Sequence, residues 1–295
     1  MVVASVAQNR SALALGNVLG SSISNILGAF SLGLLFHPGH VEFDGAAQIY
    51  TSILFALTTV FTALALYGTF DKAIGGSLIT LFVVYFFSIG YAIYRGVLDA
   101  PDGPDDECDE DAMNNDEEQA VPEEVPTETS ALIQPSQLGD QPKKRTLTYH
   151  IIQLIFGFLA LSLSGYVLSH SAASLADSLN LSGTVLGITI LAFATTLPEK
   201  FVAVLSGARG HEGIVVANTA GSNIFLLTLC LGITFLAGNQ EELASSFNPF
   251  EILVTWAASA IFFLIVFFGS NQWVGALLLV LYFAFLVLEF TVFRR

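Results

Sequence analysis

Apolar runs of about 20 residues recur along this chain of 295 residues, and they limit its fold more than any other feature. A helix of that length crosses a bilayer core about 30 Å thick. Hydrophobic residues make up 54% of the sequence and charged residues only 12%. Helices are expected because they satisfy their own peptide groups in lipid, and the runs lack the alternation of a membrane β-barrel. We therefore predict an all-α polytopic membrane protein with spans at residues 12–36, 46–68, 74–95, 149–169, 175–197, 213–237, 250–269 and 272–293.

The formal charge of −15 comes from one stretch of the chain. Residues 99–140 contain fifteen acidic residues and no Lys or Arg, and the rest of the chain is neutral overall. Because basic clusters are needed to bind nucleic acid, that partner is not expected. Acidic and proline-rich composition predicts a disordered loop over 99–148, and flanking basic residues place it in the cytosol. The alternative is a loose Ca²⁺ site in this loop, although the loop lacks the residue spacing of an EF-hand. The membrane halves are then 1–98, with three helices, and 149–295, with five.

Two segments of the sequence align without gaps at a constant offset of 201 residues. Residues 1–24 and 202–225 share seven identities, which include the pattern Asn-x-x-Gly-Ser-x-Ile that begins at Asn17 and Asn218. Five predicted spans separate the starts of the copies, so the copies would cross the membrane in opposite directions. Inverted repeats are typical of secondary transporters, whose substrate site lies between the repeats.

The fifth predicted span ends directly before a proline, Pro198. Pro198 removes a helical hydrogen bond, so we expect the helix to kink there and to expose backbone carbonyl oxygens. Thr195 and Thr196 precede Glu199 by four and three positions, which places the three side chains on adjoining faces. A carboxylate in an apolar helix indicates an ion or proton pathway. The alternative is that Glu199 pairs with Lys200 at the membrane interface.

The Asn-x-x-Gly-Ser pattern supplies oxygen donors in both copies, with glycines that let helices approach closely. Oxygen ligands suit Na⁺ and Ca²⁺ and do not suit soft metals. Helix packing alone is the other interpretation of this pattern. Its combination with an acidic, Pro-broken helix in the adjoining span favours a cation site.

In these motifs the chain resembles the sodium/calcium exchanger family of the cation/Ca²⁺ exchanger superfamily. Members carry two inverted α-repeats, each pairing a G-x-T-x-x-A-x-x-T-[ST]-x-P-E helix with a G-N-x-x-G-S-N-x-x-[ND] helix. Residues 187–199 and 217–226 match the second repeat, and residues 16–25 match the latter part of the first. The resemblance implies an inverted-repeat cation exchanger fold of ten helices, of which this chain would hold the last eight.

The resemblance also implies a function, which is antiport of Ca²⁺ against Na⁺ through shared oxygen ligands. Both ions would be transported substrates in a multi-pass protein of the bilayer, and neither an enzyme activity nor a resident cofactor is implied. A Ca²⁺/H⁺ antiporter and a non-transporting membrane interaction protein are the alternatives. The family motifs imply these cation ligands: Ser21, Asn25, Ala192 through its carbonyl, Thr195, Thr196, Glu199 and Ser222.

Two departures from the family pattern bear on activity. Leu226 stands where relatives place Asp or Asn, which removes a ligand. The first repeat has no Pro-Glu helix, because the counterpart of Glu199 would fall just ahead of Met1. We therefore expect Met1 to be an internal methionine of a longer exchanger, and we expect the chain as given to lack calcium exchange by itself.

Overall fold

Helices dominate the structure, a computed structural model that describes residues 1–67, 71–95, 147–179 and 181–292. Most of the predicted acidic loop lies outside these residues, so its disorder, its cytosolic location and the boundaries of the membrane halves stay predictions. In chain order the helices are α1 (Val2–Ala7), α2 (Ser11–Phe36), α3 (Gly45–Leu66), α4 (Lys72–Tyr94), α5 (Leu147–Leu179), α6 (Gly183–Thr195), α7 (Leu197–Ala208), α8 (Glu212–Ala237), α9 (Gln240–Ser246), α10 (Pro249–Phe268) and α11 (Gln272–Thr291).

The chain comprises two compact units. One unit is Met1–Asp102 together with Leu163–Arg295, and the other is Gly103–Ser162. The structure describes residues 147–162 of the second unit, which form the start of α5. The first unit contains both sequence repeats.

The number of membrane spans agrees with the sequence. Within the described residues, seven helices are long and apolar enough to cross a membrane, and the bent pair α6–α7 makes an eighth. The predicted all-α polytopic architecture with about eight spans is thus confirmed. The spans differ in burial. In the most apolar 18 residues of each span, 89% are buried in α2, 11% in α4 and none in α5. Helix α2 is therefore a central helix, whereas α4 and α5 present apolar side chains outward, as lipid contact requires.

The fourth and fifth spans differ from the predicted ranges 149–169 and 175–197. Helix α5 continues to Leu179, and the next span begins only at Gly183. A cap explains the new start, since the Ser182 hydroxyl accepts the Val185 amide at 3.2 Å and satisfies a free donor of the first turn.

Pro198 bends this span without ending it. The chain turns by 46° between α6 and α7, and α7 then continues to Ala208. Proline is tolerated in the first turn of α7 because the amides there have no helical partner. The predicted kink is therefore present, and the predicted end of the span at residue 197 is wrong because the helix restarts directly.

The sequence repeat is also a structural repeat. Asn9 and Gly210, which are 201 residues apart, both have positive φ, 55° and 80°. The amide of the residue after each one donates to the carbonyl oxygen five residues earlier, at 2.9 Å in both copies. The helices that follow contain π-helical turns near the same register, Ser24–Phe30 and Leu226–Cys230. Counted along the described residues, with the bent pair as one span, α8 comes five spans after α2, so the two copies run in opposite directions.

The repeat extends to the way in which outer helices pack. A Cβ added to Gly75 of α4 would lie 2.8 Å from the carbonyl oxygen of Gly232 in α8. A Cβ added to Gly275 of α11 would lie 2.7 Å from the carbonyl oxygen of Ser31 in α2, and Ser31 is the repeat counterpart of Gly232. An outer helix of each membrane half is thus pressed against the repeat helix of the other half.

Candidate cation site

The candidate site lies beside a close crossing of α2 and α6. A Cβ added to Gly16 would lie 2.4 Å from the Thr184 carbonyl oxygen, and one added to Gly20 would lie 2.3 Å from the Ile188 carbonyl oxygen. Real Cβ atoms do not approach backbone so closely, so only glycine fits at these positions of the crossing. The glycines of the Asn-x-x-Gly-Ser pattern therefore bring the polar side chains of α2 against the end of α6.

Thr195 joins the two repeats at the end of α6. Its hydroxyl donates to the Asn17 side-chain oxygen at 3.2 Å and lies 3.4 Å from the Ser21 hydroxyl. Within its own helix the hydroxyl also lies 2.9 Å from the Leu191 carbonyl oxygen and 3.3 Å from that of Ala192. Oxygen atoms of both copies thus converge beside the bend, which brings three of the predicted ligands together: Ser21, Ala192 and Thr195.

Thr196 belongs to a neighbouring group of hydroxyls. Its side chain donates to the Ala192 carbonyl oxygen at 2.7 Å and lies 2.9 Å from the Ser24 hydroxyl of α2. The Ser24 hydroxyl also lies 2.9 Å from the Tyr282 hydroxyl of α11. The ammonium group of Lys200 donates to Ser24 at 2.8 Å and to the Thr196 hydroxyl at 2.5 Å.

Glu199 and Lys200 do not form the interfacial ion pair that the sequence left open. Lys200 is buried, and among the described residues no ion pair joins it to Glu199. Glu199 lies in the first turn of α7 and is partly buried. Its Oε2 atom is inaccessible and has no hydrogen-bond partner in the described part of the chain. That oxygen is available to an ion.

The remaining predicted ligands, Asn25 and Ser222, lie apart from the Thr195 hydroxyl in the hydrogen-bond network. The Asn25 amide donates to the Asn223 side-chain oxygen of α8 at 3.4 Å, so it also links the two repeats. Ser222 is partly buried on α8, and no hydrogen bond among the described residues connects its hydroxyl to the Thr195 group. The Asn25 side-chain oxygen and the Asn223 amide nitrogen have further capacity, since both lack partners there.

Four contributors were not predicted as site residues from the sequence: Ser24, Lys200, Asn223 and Tyr282. Ser24 follows Ser21 by three positions on one helix, and that spacing was the available signal. Asn223 directly follows Ser222 in the pattern of the second copy. No signal showed that Lys200 would face inward.

The two copies of the Gly-Ser pattern differ in how closely other residues pack around the glycine. Gly221, the counterpart of Gly20, has no atom within 4 Å of an added Cβ. Leu226 is partly buried and packs against the apolar core. Within the described residues, no group of three or more His, Cys, Asp or Glu side chains could hold a metal ion, so Glu199 belongs to no acidic cluster of that size.

The sequence profile described as "Sodium/calcium exchanger protein" matches residues 1–90 and 149–291, which is most of the chain. The chain belongs to the sodium/calcium exchanger family. Membership confirms the predicted resemblance and the multi-pass membrane location.

Individual relatives are distant. The sodium/calcium exchanger MaX1 of Methanosarcina acetivorans is 28% identical over 142 residues, which cover 48% of this chain and 40% of that protein. Membrane protein MJ0091 of Methanocaldococcus jannaschii is 24% identical over 273 residues, 92% of this chain and 74% of that protein. A solved structure of the sodium-calcium exchanger NCX_Mj, soaked with 2.5 mM Na⁺ and 1 mM Sr²⁺, has a TM-score of 0.61 at 21% identity. That match covers 96% of this chain and 79% of the other, and it shows a shared fold.

Proposed function

We propose that this chain carries the cation site of an exchanger of Ca²⁺ for Na⁺, with the ions bound where α6 bends into α7. The meeting of Thr195 with Asn17 and Ser21 carries the proposal, because it joins oxygen atoms of both repeats at one point. Transporters built from inverted repeats bind their substrates at such an interface, near a discontinuous helix. The relative MaX1 is named for the same two ions.

The donor set suits hard cations. Hydroxyl, amide and carbonyl oxygens surround the bend, and the Glu199 Oε2 atom supplies charge without a protein partner. Oxygen ligands of this kind bind Ca²⁺ and Na⁺. The Asn25 side-chain oxygen, which has no hydrogen-bond partner in the described part of the chain, offers a further ligand where α2 meets α8. Because the two ions would use the same oxygens, one displaces the other. Exchange follows if only the loaded site changes its access.

Glu199→Gln tests the proposal directly. We expect Ca²⁺ affinity of the purified chain in detergent to fall by roughly tenfold or more, because the site loses its one charged ligand, a difference of about 1.4 kcal/mol. Calcium binding is followed by titration with a calcium-sensitive dye. Glu241→Gln is the matched control, since Glu241 is exposed at the start of α9. Equal Ca²⁺ affinity in the Glu199 variant and the unaltered chain would contradict the proposal.

Vesicles containing the protein identify the counter-ion. Uptake of radioactive calcium driven by a Na⁺ gradient and abolished by Glu199→Gln supports exchange for Na⁺. Uptake driven by a pH gradient alone indicates a Ca²⁺/H⁺ antiporter and rejects Na⁺ as the counter-ion.

A further inference from the structure

Lys200 brings a positive charge into the interior of the membrane unit. Its side chain is only 7% exposed, although it is carried by the first turn of α7 beside the bend. Lysine is rarely buried without a partner, and a charge within a span is costly unless other groups compensate it. Its hydrogen-bond partners among the described residues are all neutral, and the adjacent Glu199 attracts it without forming an ion pair.

Neutral oxygens and aromatic rings surround the ammonium group. It donates to the Ser24 hydroxyl at 2.8 Å, to the Thr196 hydroxyl at 2.5 Å and toward the Thr196 carbonyl oxygen at 3.5 Å. It also lies 4.9 Å from the centre of the Phe193 ring and 5.9 Å from that of Tyr282, within the range of cation–π attraction. Gly28 leaves room for the stem, since an added Cβ would lie 3.3 Å from the Lys200 Cε atom.

The location is one in which a free cation would be stable. Thr196 caps the carboxyl end of α6, where the helix dipole is negative. Broken helices of transporters use such ends and their carbonyl oxygens to coordinate Na⁺. In this chain the ammonium group of Lys200 occupies that end and takes the hydroxyl of Thr196, a predicted cation ligand.

We propose that Lys200 is a tethered cation that occupies a monovalent-cation position at the end of α6. The inference rests on the proposed function and refines its ion set. With Lys200 in place, Thr196 and Ser24 do not bind a mobile ion, and the charge of Glu199 is balanced in part from within the chain. Each exchange cycle then requires one Na⁺ fewer than a site in which this position is open.

The test is to remove the tethered charge and ask whether Na⁺ replaces it. Lys200→Met keeps an apolar stem and leaves the hydroxyl groups of Ser24 and Thr196 and the Thr196 carbonyl oxygen for an ion. We expect NaCl to raise the unfolding temperature of this variant in detergent, relative to N-methyl-D-glucamine chloride at equal ionic strength. The unaltered chain should show a smaller sodium-specific rise, because it binds Na⁺ at the Thr195 group but not at the position held by Lys200. Lys72→Met is the matched control, since it removes the same charge from an exposed residue at the start of α4.

Two further variants sharpen the result. Lys200→Gln keeps a donor for the Ser24 hydroxyl and serves if the methionine variant does not fold. Adding Ser24→Ala to Lys200→Met removes one oxygen, and the sodium-specific rise should shrink.

The outcomes separate the two proposals. A folded Lys200→Met or Lys200→Gln variant whose sodium-specific rise in unfolding temperature is no larger than that of the unaltered chain overturns the inference, whatever the unaltered chain does with Ca²⁺. Failure of the unaltered chain to bind Ca²⁺ overturns the proposed function, and a sodium response confined to the Lys200 variants still supports the tethered cation.

Discussion

At the scale of single residues, Thr195 connects α6 to α2 at the candidate site. Its hydroxyl reaches α2 through Asn17 and Ser21, and it also contacts carbonyl oxygens of its own helix. Thr189 lies on the same helix and is also buried, but its hydroxyl donates only to the carbonyl oxygen of Val185. Replacing each threonine by valine therefore makes the same chemical change at two buried places, one within the candidate site and one outside it.

Thr195→Val should weaken Ca²⁺ binding by roughly tenfold, because the site loses an oxygen and the Asn17 side chain loses its donor. Thr189→Val, the matched control, should bind Ca²⁺ as the unaltered chain does. Calorimetric titration of both purified variants measures the difference. Similar affinities for the two variants would show that Thr195 only holds α6 against α2.

Part of the site could be predicted at this scale. Ser21, Ala192 and Thr195 belong to fixed motifs, so their helical spacing and the crossing of two helices were enough to bring them together. Lys200 could not be predicted, because neighbouring residues on a helix point about 100° apart and a sequence does not show which one faces inward. The inward direction depends on Gly28 and Ser24, which come from a distant part of the chain.

At the scale of helices, the crossing of α2 with α6 sets the geometry of the site. Gly20 lies against the backbone of Ile188, and backbone cannot withdraw as a flexible side chain can. Gly221 occupies the equivalent place in the second repeat and has open space around it. The inverted repeat thus provides an internal control for the effect of one methyl group.

Gly20→Ala should destabilise the protein by on the order of 1–3 kcal/mol, the usual cost of overpacking. Gly221→Ala should leave stability unchanged or raise it slightly, since alanine favours the helical state. Thermal unfolding of the two variants in the same detergent gives the comparison. Equal unfolding temperatures would mean that α2 and α6 are less tightly pressed than the structure describes.

Helix boundaries show what the sequence could and could not predict. The bend at Pro198 follows from a missing amide and was expected. The gap between α5 and α6 depends on the Ser182 cap, a local hydrogen bond that hydropathy does not register. The predicted ranges of the fourth and fifth spans were therefore displaced.

At the scale of the whole molecule, the two membrane halves are packed into each other. Helix α4 of the first half lies against α8, and α11 of the second half lies against α2, both through glycines that admit close contact. The sequence predicted two related halves from the 201-residue offset. It could not predict that an outer helix of each half packs against the repeat helix of the other half, because Gly75 and Gly275 lie outside the aligned segments.

Residues 1–98 and 149–295, expressed together as two separate chains, should purify as one complex. The glycine contacts make each half the packing surface of the other, so neither half is expected to be stable alone. Co-purification through a tag on one half measures the association. Gly75→Leu should reduce it, because a large side chain cannot fit against Gly232, whereas Gly76→Leu should not, since Gly76 faces open space. Recovery of each half as a stable, separate protein would contradict this packing.

The packing of an outer helix of each half against the other half has a consequence for synthesis. Helix α4 is made well before α8, so the glycine face around Gly75 must first lie in lipid or against a temporary neighbour. A helix tolerates this wait, because its peptide groups are bonded within the helix. Helix α11, the last of the described helices, docks on α2, so this contact also joins segments of the chain that are synthesised far apart in time.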